Sequence, residues 1–112
     1  MKIISTTIAI GMFSFFLNTQ VYAEDVGYRA EAIQHAEEAI KHGKMGHAEE
    51  LLTYAKVSMG YAQAASNSGA DDHMKQAVGH LVKAIGHAKM DRAGAATNHT
   101  RTAMSYMQES KL

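Results

Sequence analysis

The chain of 112 residues has no cysteine, no proline and no tryptophan. Without cysteine there is no disulfide framework, thiolate metal site, covalent c-type haem attachment or cysteine nucleophile. With no proline, few β-branched residues and all three phenylalanines within the first sixteen positions, strands are disfavoured. Charge of one sign is also lacking: eleven Lys/Arg stand against eleven Asp/Glu. That balance argues against a nucleic-acid partner, which needs a basic stripe to neutralise phosphates. No Ser/His/Asp constellation, phosphate loop or HExxH motif is visible, so an enzyme is not expected. What the chain does have is seven histidines and eight methionines in a length that supports one small domain.

The first segment reads as an address. Met1-Lys2 is a short positive start, Ile3 to Leu17 is apolar, and Val21-Tyr22-Ala23 is a small-x-small ending. This layout predicts a secretory signal peptide, residues 1–23, cleaved after Ala23. The apolar stretch falls short of the ~20 residues needed to span a bilayer. No cysteine follows to carry a lipid, so no membrane association is expected after cleavage. The mature domain is then 24–112, which keeps every histidine, and its expected location is a bacterial periplasm.

Apolar residues recur at helical spacing in four segments of that domain. The first carries Val26, Ile33, Ala36 and Ile40; the second Ala48, Leu51, Leu52, Ala55, Met59 and Ala62. The third has Met74, Ala77, Val78, Leu81, Ala84, Ile85 and Ala88, and the fourth Ala93, Ala96, Thr100, Ala103, Met104 and Met107. Breaks fall at Gly43–Gly46, Asn67–Ala70 and Met90-Asp91, with Asp25 and Asp71 placed to cap helix starts. Connections this short predict an all-α, up-down-up-down antiparallel four-helix bundle. Residues 31–65 also align with 76–110 at a constant offset of 45, eleven of 35 positions being identical, His35/His80, His42/His87 and Met45/Met90 among them. The expected unit is therefore a duplicated helical hairpin.

The histidines follow a seven-residue rule. Tyr28, His35 and His42 lie on the first helix, His47, Tyr54 and Tyr61 on the second, His73, His80 and His87 on the third. Arg92, His99 and Tyr106 lie on the fourth. Seven residues return to within ~20° on a helix, so each trio is a straight stripe flanking the apolar face. Antiparallel neighbours turn such flanks toward a shared groove. The stripes then pair as helices 1–2 and 3–4, or as 1–4 and 2–3, according to bundle handedness. Three levels are expected, the richest holding His42, His47, His87 and Arg92 with Met45 and Met90 in the adjoining turns.

A lone histidine on a helix flank is ordinarily a solvated or packed residue, and the tyrosines read as boundary packing. Seven histidines on one geometric stripe favour metal binding instead. Residues seven apart are ~10.5 Å apart along the axis, so an ion must recruit across helices or from a second residue type. Imidazole suits copper, zinc and nickel, while the thioether in the twice-used His-x-x-Met leans toward Cu(I). The leading ligands are His42, His47 and His87 with Met45 and Met90 as auxiliaries, followed by His35, His80 and His99; His73 completes the set. Arg92 cannot bind a cation. Competing readings are a bundle with haem held by one His and one Met, and a structural protein whose clustered histidines respond to pH.

The run EAIQHAEEAIKHGKMGH (31–47), together with HAEELL (47–52) and HLVKAIGH (80–87), resembles the repeats of the small metal-binding protein family. The resemblance covers nearly the whole mature chain. It implies a His-rich periplasmic four-helix bundle that binds copper reversibly, with nickel and zinc as further ions, for buffering or delivery to a partner. His35, His42, His47, His80 and His87 fall on the family's histidine positions. Tyr54, Tyr61, Tyr106 and Arg92 depart from the pattern, which implies fewer ions or lower affinity. Met45 and Met90 stand where the family pattern is acidic, a change that favours Cu(I). A monomer is expected.

Overall fold

The computed structural model describes residues 24–111, so the segment read as a signal peptide lies outside the described residues. Four helices follow in order: α1 (Glu24–Lys44), α2 (Ala48–Asn67), α3 (Asp72–Lys89) and α4 (Ala93–Glu109). They occupy the four periodic segments, and no strand occurs among the described residues.

The three turns share one device. The N–H groups of His47, Ala70 and Arg92 reach back to the carbonyls of His42, Ala65 and His87, at 3.0, 3.1 and 2.9 Å. Each bond spans five residues and needs a left-handed residue just before its donor. Gly46 (φ 77°), Gly69 (φ 106°) and Asp91 (φ 61°) supply it. The capping expectation is corrected. Asp25 lies inside α1, which begins at Glu24. Asp71 does hold the N-cap position of α3, but its carboxylate makes no capping bond. It is drawn off instead by the chain's end, as described below.

α1 packs on α2, α2 on α3, α3 on α4, and α1 closes on α4, with only a slight diagonal contact between α2 and α4. The core is mostly alanine, with Leu51, Met74, Leu81 and Met107 as its largest fully buried side chains. Alanine faces let helix backbones come close. Gly43 shows how close: a Cβ there would collide with Thr97 Oγ1 and Leu51 Cδ1. Ser58 Oγ, fully buried, donates 2.7 Å to the Ala32 carbonyl and so ties α2 to α1. Arg29 on α1 donates from Nε to the Met107 carbonyl (2.7 Å) and from Nη2 to that of Gln108 (2.8 Å). A cation thus adds a donor to the carbonyls at the end of α4, where Met107 also accepts from the Ser110 backbone N–H at 3.3 Å. No helix among the described residues is long and apolar enough to cross a membrane.

Candidate functional site

The seven-residue stripes meet within the pairs α1–α2 and α3–α4, the first of the two pairings open from sequence. With the helices in cyclic order, these two grooves lie on opposite sides of the bundle. Each groove holds a ladder of rings taken alternately from its two helices.

In the α1–α2 groove the order is Tyr28, Tyr61, His35, Tyr54, His42, His47. Successive ring centroids lie 6.5, 5.5, 6.4, 5.3 and 6.2 Å apart. In the α3–α4 groove it is His73, Tyr106, His80, His99, His87, at 6.2, 5.5, 5.6 and 5.3 Å. Residues at the same rung are 45 apart in sequence. Each ring lies over the next because a side chain on one helix falls midway between two that are seven apart on its neighbour. The tyrosines are half-buried and line the grooves, as boundary packing requires.

The expected four-residue levels do not form. Every ring contact among the described residues lies within one groove, so His87 belongs with His99 and not with His42 and His47. The leading trio is thereby split between two faces. Stripes on opposite faces cannot share a level whatever their height along the bundle. Met45 and Met90 are a little over half exposed at the turns. Arg92, the counterpart of His47, is exposed at the N-cap position of α4. No group of three or more His, Asp or Glu among the described residues already converges on one point.

The ring nitrogens differ in what they touch. His35 Nδ1 donates to the Glu31 carbonyl at 2.8 Å, and since a carbonyl only accepts, Nε2 of the neutral ring is left with its lone pair. That is the arrangement that orients a ligating imidazole. The Glu31 carboxylate, itself buried, stands 3.7 Å from the same Nδ1. His80 and His99 bring their Nδ1 atoms to 3.4 Å, so one ring donates to the other. His42 Nδ1 and His87 Nδ1, at equivalent rungs, are buried with no hydrogen-bond partner among the described residues. A polar nitrogen left so costs about 1–3 kcal/mol, which a bound ion would relieve.

Burial holds the His99 pKa below its usual value, and His87, His80 and Lys83 add to the effect. A neutral imidazole is the form that binds a metal. Tyr61 is raised, by burial first and then by Glu31 and Tyr28.

His73 has different company. Its Nδ1 lies 3.2 Å from Asp71 Oδ2 and its Nε2 is 3.9 Å from Glu109. Asp71 also accepts from Ser110 Oγ (2.8 Å) and from the Lys111 backbone N–H (3.0 Å). These bonds, that to the Lys111 backbone foremost, lower its pKa to about 2. This clasp between the α2–α3 turn and the end of α4 has no sequence signal, since its members lie about forty residues apart. The orphaned nitrogens were equally invisible, because they depend on rotamers.

Comparison with curated proteins gives no match. A family model described as small metal-binding protein matches residues 1–110. That span takes in both ring ladders and all seven histidines, and the chain belongs to this small metal-binding protein family.

Proposed function

We propose that the chain is a periplasmic protein that binds copper reversibly, and nickel or zinc through the same imidazoles, for buffering, sequestration or delivery. The observation that carries this reading is the pair of orphaned Nδ1 atoms, His42 and His87, each at the same rung of a ladder of imidazoles. The donors fall into two sets. His35, His42 and His47 with Met45 serve the α1–α2 groove; His73, His80, His87 and His99 with Met90 serve the other. Imidazole nitrogen suits all three ions, and an exposed thioether beside it favours Cu(I).

Within each groove the histidine rings lie against tyrosines and other histidines instead of facing an apolar slot, which favours ions over haem. Adaptable sites with no converged ligand set suit storage, whereas catalysis wants one preorganised site, so the protein is read as no enzyme. The same reading takes the bundle as antiparallel and as a duplicated hairpin. Its support is the alternating order of rungs and the repetition of ladder and turn at positions 45 apart. The working unit is taken to be a monomer, with metal ions as its partners.

The test is to express the whole chain in a bacterium, recover it from the periplasmic fraction and measure its intact mass. A mass beginning at Glu24 bears out export and cleavage; recovery only from the cytoplasm with residues 1–23 attached overturns that part. Native mass spectrometry with Cu(II), Ni(II) and Zn(II) should then show stepwise uptake with copper held most tightly. Uptake of none of them by the native protein would sink the metal reading.

A further inference from the structure

The two grooves are not equal: their aligned rungs differ at Tyr28/His73, Tyr54/His99 and His47/Arg92, and the middle pair decides the run of imidazoles. Between His35 and His42 the α1–α2 ladder places Tyr54; between His80 and His87 the α3–α4 ladder places His99. The second groove is therefore an unbroken run of three imidazoles. In the first, the phenol of Tyr54 interrupts the run, and a phenol must lose its proton to bind a divalent ion well.

We propose, resting on the metal-binding reading above, that the first divalent ion enters the α3–α4 groove and is held by His80, His99 and His87, with the α1–α2 groove filling later. Two nitrogens that bind one tetrahedral ion at about 2.0–2.1 Å stand roughly 3.3–3.4 Å apart. His80 Nδ1 and His99 Nδ1 are already 3.4 Å apart. The space between them is spanned by one proton, on whichever ring donates. When the ion enters, that proton moves to Nε2 of the same ring, so both imidazoles stay neutral, and the two rings, now stacked with an interplanar angle of 26°, turn until both Nδ1 lone pairs face the metal.

The third ligand is one rung away. His87 is stacked on His99 at 5.3 Å with an interplanar angle of 8°, and its buried Nδ1 has no partner to give up. Parallel rings cannot aim their nitrogens at one point, so His87 must turn about its side-chain bonds and leave the stack. Binding thus exchanges a ring stack for a chelate, and His80 in turn loosens from Tyr106, now 5.5 Å away. In the other groove, His42 and His47 lie 6.2 Å apart by ring centre, and His42 Nδ1 has no hydrogen-bond partner among the described residues.

The aligned positions supply their own exchange experiment. Tyr54 and His99 already fill equivalent rungs, so His99→Tyr and Tyr54→His each place a ring that the sister groove accommodates. The full chain, recovered as above, is titrated with Zn(II) against a competing chelator. Side-chain NMR of the histidine rings follows which nitrogens respond, and helical circular dichroism follows the fold. H99Y should weaken the first ion about tenfold or more and abolish the early response of His80 and His87. Y54H should create a second ion of comparable affinity, and His42→Ala should weaken the later ion of the α1–α2 groove. A first ion unaffected by H99Y, or one that first perturbs His42 and His47 in the native chain, overturns the assignment while leaving metal binding intact. A native chain that binds neither Zn(II) nor Cu(II) overturns the functional reading and this inference together.

Discussion

Gly46 and Asp91 stand 45 residues apart, each left-handed in the turn that closes its helix pair. Glycine adopts that conformation without strain, whereas an L side chain pays about 1–2 kcal/mol, somewhat less for aspartate. Asp91→Gly should therefore stabilise the protein by up to about 1 kcal/mol, and Gly46→Ala should destabilise it by about 1 kcal/mol, both read from urea midpoints. Gly43 is glycine for a different reason, the closeness of Thr97 and Leu51. Gly43→Ala should cost about 1–3 kcal/mol through overpacking, although its aligned residue, Ala88, is an alanine that the other helix pair buries. An equal stability of Gly43→Ala and the native protein would mean that α1 and α4 can part there at no cost.

At the scale of elements, the helices are joined at their ends by polar ties more than by large side chains. Arg29→Ala removes the guanidinium donors from the carbonyls of Met107 and Gln108 and should fray the end of α4, seen as faster amide exchange there. Asp71 ties the α2–α3 turn to the chain's end, and its pKa is lowered from 3.8 to about 2 by the Lys111, Ser110 and His73 bonds. A depressed carboxylate contributes stability that is fully present above its unfolded value and is lost as pH falls through its folded value. The clasp should therefore hold above about pH 4 and release between there and about pH 2. Amide exchange of Ser110 and Lys111 should rise over that window in the native protein, and Asp71→Asn should show the released behaviour at every pH. No change across the window would show that the tail is held by something else.

At the scale of the whole molecule, a core built largely of alanine buries little surface, and a domain of this size is marginal on that account. Ligands that bind only the folded state add stability by mass action, about 2.7 kcal/mol at a hundred times the dissociation constant. Copper or zinc should thus raise Tm in a concentration-dependent way, and a chelator should restore the metal-free value. The depressed His99 adds a pH dependence of its own. Because the folded state resists its protonation, stability should be greatest above the ordinary 6.5 and fall as pH drops below it. A Tm that rises on acidification from pH 7 to 5 would contradict that sign.

How much of this could be read from the chain follows from what is local. Helix positions, turn positions and the straight stripes were legible because they depend on 3.6-residue periodicity and on small residues at breaks. The stripes Tyr28-His35-His42 and His73-His80-His87 needed no partner helix to be drawn. The sequence by itself determined which side chains stand in line and that imidazole would be their shared chemistry. Only the tertiary structure decided which lines face each other, because that choice belongs to the bundle's handedness, which no single helix encodes. It separated His87 from His42 and His47, brought His80 and His99 nitrogen to nitrogen, and tied Asp71 to the chain's end. Each of these depends on the distance between helices, which the alanine core sets by letting their backbones approach.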